Sequence, residues 1–158
     1  MYTILEKDML TPTICRMKVS APRIAEAAKP GQFLIVIDNP KGERIPLTIS
    51  DYDAAAGTVD IVTQSVGAST MKIVAKNPDD SFSDVVGPLG KHSDFLDLAP
   101  EKLKNLSFVF IAGGVGTAPV YPQAKWLHEH GAHVEVIIGA RNKEHPLYTE
   151  QREKACDK

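Results

Sequence analysis

The sequence is poor in cysteine, in net charge and in long apolar runs, and each shortage excludes a class of protein. Cys15 and Cys156 are its only cysteines in 158 residues. Two are too few for a disulfide framework or a four-cysteine metal site, and little supports a bridge between them. The charges nearly cancel, with 18 Lys and Arg against 20 Asp and Glu for a formal charge of −2. That balance leaves no electrostatic footprint for nucleic acid or an acidic membrane, so any polyanion must be gripped locally. The longest apolar stretches, such as 108–112, are strand-length, far short of the roughly 20 residues that a membrane-spanning helix needs. The start, MYTILEKDML, has no apolar run behind a basic region. No secretory signal is read there, and a cytoplasmic location is expected. With 43% apolar and 24% charged residues, the composition is not that of a disordered, collagen-like or coiled-coil chain. The length allows one domain or two small ones.

What is present divides into two patterns. Up to about residue 100, short β segments alternate with turn residues. Strands are predicted over 1–6, 13–20, 32–38, 44–50, 58–64 and 84–86, and a short helix over 69–75. Thr11-Pro12, Asn39-Pro40-Lys41-Gly42, residues 51–57 and Gly87-Pro88-Leu89-Gly90 supply the turns. Six short strands with little helix predict a small antiparallel barrel or sandwich.

After Pro100 the pattern changes. SFVFIA (107–112) is a continuous apolar run, as expected of a strand buried on both faces. Gly113-Gly114-Val115-Gly116 follows it directly. Residues 117–130 then have helical spacing, with Val120, Ala124 and Leu127 on one stripe and Gly131 as the stop. VEVIIGA (134–140) is a second strand, and the polar ending QREKACDK is expected in a following helix. Strand, glycine loop, helix and strand make one βαβ unit, the start of a parallel, Rossmann-like sheet.

The glycine loop is the most mechanistic local feature. Gly113, Gly114 and Gly116 let the backbone turn tightly and approach a phosphate, and Thr117 opens a helix whose free N–H groups suit an anion. Pro119 fits the first helical turn, where its missing N–H is not needed. A structural turn that binds nothing is the alternative. Near the end of the second strand Arg141 stands where an acidic, ribose-reading residue would be expected; it suits a 2′-phosphate and favours NADP(H) over NAD(H). A solvated surface arginine explains it equally well. His128, His130 and His133 read as solvated helix-end residues, because positions two apart on a helix point in different directions. No Ser-His-Asp or Cys-His arrangement can be defended from spacing alone.

Four ordered segments carry a resemblance: ERIPLTISDYD (43–53), TQSVGASTMKI (63–73), VVGPLGK (85–91) and IAGGVGTAPVYPQAKWL (111–127). Together they resemble the ferredoxin–NADP reductase superfamily. Within it they look like the flavin subunits called sulfide dehydrogenase subunit beta, or the small subunit of NADH-dependent ferredoxin:NADP oxidoreductase. The electron-transfer subunit of type-B dihydroorotate dehydrogenase is a relative.

The resemblance implies a six-stranded, FAD-binding barrel over 1–100 and the incomplete beginning of an NAD(P)-binding α/β domain over 101–158. It implies hydride transfer between nicotinamide and flavin, with electrons then passed singly to iron–sulfur partners. Pro46, Leu47 and Thr48 would lie along the isoalloxazine, with the Thr48 hydroxyl near N5 as the one catalytic assignment. The family's pyrophosphate-binding arginine falls in register on Ile45, one residue after Arg44. A one-residue slip reverses side-chain direction on a strand, so Arg44 reaches the pyrophosphate if Pro46 bends the chain. Val62, Thr63 and Gln64 match a second flavin-contacting stretch. Gly67, Ser69 and Thr70 match a third, where a short helix begins against the pyrophosphate. Without the family, Thr48 is an ordinary strand residue and Ser69 a helix cap.

The implied partners are a larger catalytic flavin/iron–sulfur subunit and ferredoxin or a similar carrier, with no nucleic acid or membrane. A [2Fe–2S] cluster is expected only in a four-cysteine region beyond Lys158. The 158 residues are therefore expected to be part of a longer subunit, inactive alone and inclined to self-associate. Two alternatives stand: an electron-transfer subunit feeding a dihydroorotate dehydrogenase, and a non-catalytic barrel that has lost its cofactor.

Overall fold

In the computed structural model the described residues are 1–139, Cys156 and Asp157. Runs of β-branched and aromatic residues form β1 (Tyr2–Thr11), β2 (Ile14–Ser20), β3 (Phe33–Ile37), β4 (Arg44–Asp53), β5 (Thr58–Gln64), β6 (Ser81–Phe82) and β7 (Asp84–Leu89). All pair antiparallel in the order β6-β1-β2-β5-β4-β3-β7. Ser83 alone separates β6 from β7, and its amide donates to the Ile37 carbonyl at 2.9 Å. The first part of this split strand pairs with β1 and the second with β3, so it closes the predicted six-strand barrel.

Alternate residues fill the interior: Cys15, Met17 and Val19 from β2, Leu34 and Val36 from β3, Val59 and Ile61 from β5. Two helices add to this core. One is α1 (Pro22–Ala27), which contributes Ile24 and Ala25; the other is α2 (Ala68–Ala75), which contributes Ile73. The sequence does not predict α1, and it ends β1 too early. β1 runs on to Thr11, whose hydroxyl then accepts from the amides of Thr13 and Ile14 at 3.2 and 3.0 Å to turn the hairpin. Gly87, Pro88 and Leu89 lie within β7 rather than in a turn. The break comes at Gly90, whose φ of +79° suits glycine.

A second unit follows α3 (Pro100–Leu103). It comprises β8 (Ser107–Gly113), α4 (Thr117–Glu129) and β9 (His133–Gly139). The two strands pair parallel from Ser107↔His133 to Gly113↔Gly139. Leu103, Ala124, Leu127 and Val134 form the core beneath α4, joined by Phe95, Phe108, Phe110 and Trp126. Burial of β8 on both faces is not what the structure shows. α4 covers one face only, and on the other Val109, Ile111 and Ile137 are 56%, 79% and 55% exposed. Cys15 lies in the barrel and Cys156 against the second core. Cys156 and Asp157 belong to no helix. Asp157 instead exchanges two 2.8 Å hydrogen bonds with the Val134 backbone.

Candidate cofactor site

β4 presents its residues in a phase set by β3. Leu47 pairs with Leu34 and Ile45 with Val36, two residues buried inside the barrel, and both side chains pack on that interior. Arg44, Pro46 and Thr48 therefore face outward, opposite Ile37, Ile35 and Phe33. Arg44 shares the face of Thr48 by simple alternation, with no bend at Pro46 required. Leu47 is the member of the sequence-derived trio that the fold directs inward.

β5 continues the outer face. Thr48 and Val62 are the next residues beyond the Ile49–Ile61 pair on their respective strands. Val62 is 5% exposed because Ala118 of α4 covers it. Thr63 pairs with Cys15 and is fully buried, with a hydroxyl that finds no hydrogen-bond partner among the described residues. Gln64 is exposed at the strand end.

The N-terminus of α2 meets the start of β4. Thr70 Oγ1 accepts from the amides of Val66 and Gly67 at 3.0 and 2.9 Å and donates to the Gly67 carbonyl at 3.0 Å. The Ser69 hydroxyl donates to the carboxylate of Glu43, the residue before Arg44. A negative group thus already sits at this helix N-terminus, where unpaired N–H groups and the helix dipole favour an anion.

The glycines separate into two kinds. Gly113 lies close against β9, where an added Cβ would stand 3.1 Å from the Gly139 carbonyl oxygen. Gly114 has a φ of +53°, a left-handed conformation. The fold requires both. Gly67 (φ −157°) and Gly116 (φ −61°) have ordinary backbones and nothing within 4 Å of an added Cβ. Each precedes a helix, and each leaves open space where a Cβ would stand. Thr117, next to Gly116, is 3% exposed and its hydroxyl also lacks a partner among the described residues. Arg141 lies outside the described residues.

Contacts seat the glycine loop against the barrel. Val115, Ala118 and Tyr121 pack with Leu10, Ile14 and Val62. Farther along α4, Lys125 Nζ donates to Asp51 Oδ1 at 2.9 Å, and Gln123 accepts from the Ser93 hydroxyl at 2.7 Å. Burial works against the Lys125 charge, yet the hydrogen bond and charge of Asp51 prevail and raise its pKa. Beside this pair, burial pushes the Asp60 carboxyl up to about 6, although Arg16 pulls it down from 2.9 Å. Glu43, Asp51, Asp60 and Lys125 escape the sequence reading, because a charge on a strand or helix gives no sign of its tertiary partner.

Several known proteins are similar to this chain. No protein-family profile matches the chain. An uncharacterized protein from the adh 3′ region of Clostridium beijerinckii is 54% identical over 156 residues, covering 99% of this chain and 53% of its own length. A Thermotoga maritima homolog of the electron transfer subunit of dihydroorotate dehydrogenase B is 33% identical, with 98% and 52% covered. Among solved structures, the NADH-dependent reduced ferredoxin-NADP oxidoreductase superposes with a TM-score of 0.89 at 32% identity, over 99% of this chain and 54% of that one. The fold is that of the ferredoxin–NADP reductase superfamily. The chain spans about half the length of the relatives it matches.

The residues fit what a dinucleotide needs. A pyrophosphate requires cations, N–H donors and room for close approach. Arg44 and the α2 N-terminus at Gly67 supply these in the barrel, and the α4 N-terminus at Gly116 supplies donors and room beside it.

Proposed function

We propose that this chain is the flavin-binding part of an NAD(P)H-linked electron-transfer oxidoreductase. Residues 1–100 form the FAD-binding barrel, and residues 101–158 form the first part of the NAD(P)-binding unit. The observation that carries the reading is the pair Gly67 and Gly116, two glycines that the fold does not need, each opening a helix N-terminus.

In this reading Arg44, Ser69, Thr70 and the α2 amides hold the FAD pyrophosphate, and Glu43 yields its place on Ser69. Pro46 and Thr48 offer the outer face of β4 to the isoalloxazine, with the Thr48 hydroxyl near N5, and Val62 and Gln64 continue that face on β5. Leu47 and Thr63 support it from inside the barrel. Gly116 and Thr117 receive the pyrophosphate of NAD(P)H, with Gly113 and Gly114 shaping the turn. Bound FAD would supply the hydride acceptor and a junction between two-electron and one-electron carriers. The protein's own work is then positioning and exclusion of water, which needs no acid–base triad.

The proposed partners are a larger catalytic flavin/iron–sulfur subunit and ferredoxin or a similar carrier. A second reading, service to a dihydroorotate dehydrogenase catalytic subunit, is favoured by the name of the Thermotoga maritima relative. An iron–sulfur cluster is not assigned to these residues, since Cys15 and Cys156 lie in separate cores.

Fluorescence titration of the purified chain with FAD tests the proposal. Saturable quenching, with a protein-bound flavin absorbance after gel filtration, is the expected result. Failure to bind FAD would overturn it in favour of a non-catalytic barrel.

A further inference from the structure

We propose that Lys125 is a positioning residue that sets how the glycine-loop helix docks on the flavin face of the barrel. This inference rests on the reading just given for the role of the docked helix, but the docking is testable without any cofactor.

Asp51 and Asp60 are direct cross-strand partners on β4 and β5. Like charges opposite one another in a sheet repel, so each needs its own cation. Asp60 takes Arg16 from the neighbouring strand β2 at 2.9 Å, and Arg16 also holds Asp8 at 2.6 Å and Glu6 at 3.4 Å. Asp51 is met from outside the barrel, by Lys125 of α4 at 2.9 Å. The sheet thus carries a carboxylate whose cation arrives with the docked helix.

The position of that contact matters. Near its N-terminus α4 touches the barrel through Ala118 and Tyr121, and Val115 of the preceding loop joins them in an apolar seam that attracts without fixing direction. Lys125 lies four residues beyond Tyr121, the last member of that seam, about 6 Å along the helix at 1.5 Å per residue. A hydrogen-bonded ion pair is directional, so at the end of that seam it fixes the orientation that apolar contact leaves open. Asp51 lies three residues after Thr48 on the same strand. One pair therefore links the element that carries the glycine loop to the element that carries the outward-facing hydroxyl.

The surroundings favour a pair that counts. Lys125 and Asp51 side chains are 34% and 29% exposed, and they border a groove of about 660 Å³ that Glu6, Arg16, Lys18, Tyr52 and Asp60 also line. Glu129 of α4 adds to the field that keeps Lys125 charged.

Hydrogen–deuterium exchange on the full 158-residue chain without cofactor, at pH 7, tests the docking directly. Lys125→Met and Asp51→Asn should each speed exchange across α4 by about threefold to tenfold, as expected when a directional anchor is lost. The amides of Met17 and Val59 in the barrel should not change. Lys125→Arg, and the charge-swapped double variant Asp51→Lys/Lys125→Asp, should restore protection. In FAD-loaded chain, iodide quenching of flavin fluorescence should rise in the single variants and return in the swap. Unchanged α4 exchange in both single variants would overturn the proposal, as would a swap that fails to restore it. Absence of FAD binding would instead count against the proposed function and leave the exchange results to decide the docking.

Discussion

Asp51 and Asp60 oppose each other across β4 and β5, yet they are neutralised from different directions, by Lys125 of the helix and Arg16 of the barrel. The deeper of the two, Asp60, is only 5% exposed. Its environment makes the barrel's stability depend on pH.

Burial raises the Asp60 pKa from 3.8 to about 6, so the folded state holds this proton more tightly than the unfolded chain does. The folded form therefore binds more protons between those values, and stability falls as pH rises through that window, by about 3 kcal/mol at most. Asp60→Asn should abolish this component while Asp8 and Glu6 still engage Arg16. Urea denaturation from pH 4 to 7 reads the difference between the two proteins. An identical pH slope in both would show that Asp60 titrates normally.

Gly67→Ala and Gly116→Ala should be harmless to folding, since both positions have allowed backbone angles and open space. A gain of about 0.5 kcal/mol is expected from the stiffer unfolded chain. FAD affinity should nevertheless fall about tenfold in Gly67→Ala, and NAD(P)H affinity similarly in Gly116→Ala, because a methyl group fills the approach. Gly114→Ala should behave differently and cost about 1–2 kcal/mol, since its φ of +53° penalises a side chain. Thermal melts beside titrations separate the two kinds of glycine.

Arg44→Ala should weaken FAD binding about tenfold to a hundredfold, the range expected for a charge-assisted hydrogen bond to phosphate. Glu43→Gln should act in the opposite direction. Its carboxylate sits on Ser69, where it would repel a pyrophosphate, and removing the charge should tighten binding a few-fold. Fluorescence titrations at two ionic strengths would report both effects, with the Glu43 effect shrinking at high salt.

Thr48→Val keeps shape and removes one hydroxyl from the outer face of β4. FAD affinity should stay within about twofold, while flavin reduction by a free dihydronicotinamide, a hydride donor that needs no dinucleotide site, slows about tenfold, the worth of one hydrogen bond made in the transition state. Stopped-flow absorbance measures the rate. Equal rates in the two proteins would remove Thr48 from its catalytic assignment.

The barrel is legible in the sequence because each strand is rich in β-branched residues and closed by turn formers. Asn39-Pro40-Lys41-Gly42 and the Asp51–Gly57 region, for example, mark the ends of β3 and β4. α1 is not legible, since six residues (PRIAEA) are too few to display a helical period, and β6 is only two residues long. The apolar run of β8 signals burial but does not say which face is covered, so it places Val109 and Ile111 inside, whereas both lie exposed. Arg44 shows the same limit at the site. Motif register alone places it one residue out of phase, whereas the buried partners Leu34 and Val36 fix Ile45 and Leu47 inward and turn Arg44 outward. Lys125 meets Asp51 across 74 residues of sequence, and no local pattern announces such a contact.

The split strand that closes the barrel also has a consequence for the order of events during synthesis. Thr3 and Ser81 lie with their hydroxyls 3.3 Å apart, although 78 residues separate them in the chain. β1 can pair with β2 within moments of leaving the ribosome, but its other edge must wait until β6 is made. Closing so long a loop is entropically slow, and an open edge in the interval is a template for wrong pairing. The β8–α4–β9 unit, whose contacts are local, faces no comparable delay. The barrel is thus the slower-folding half of the chain, and conditions that slow its closure should lower the yield of native protein before they disturb the α/β unit.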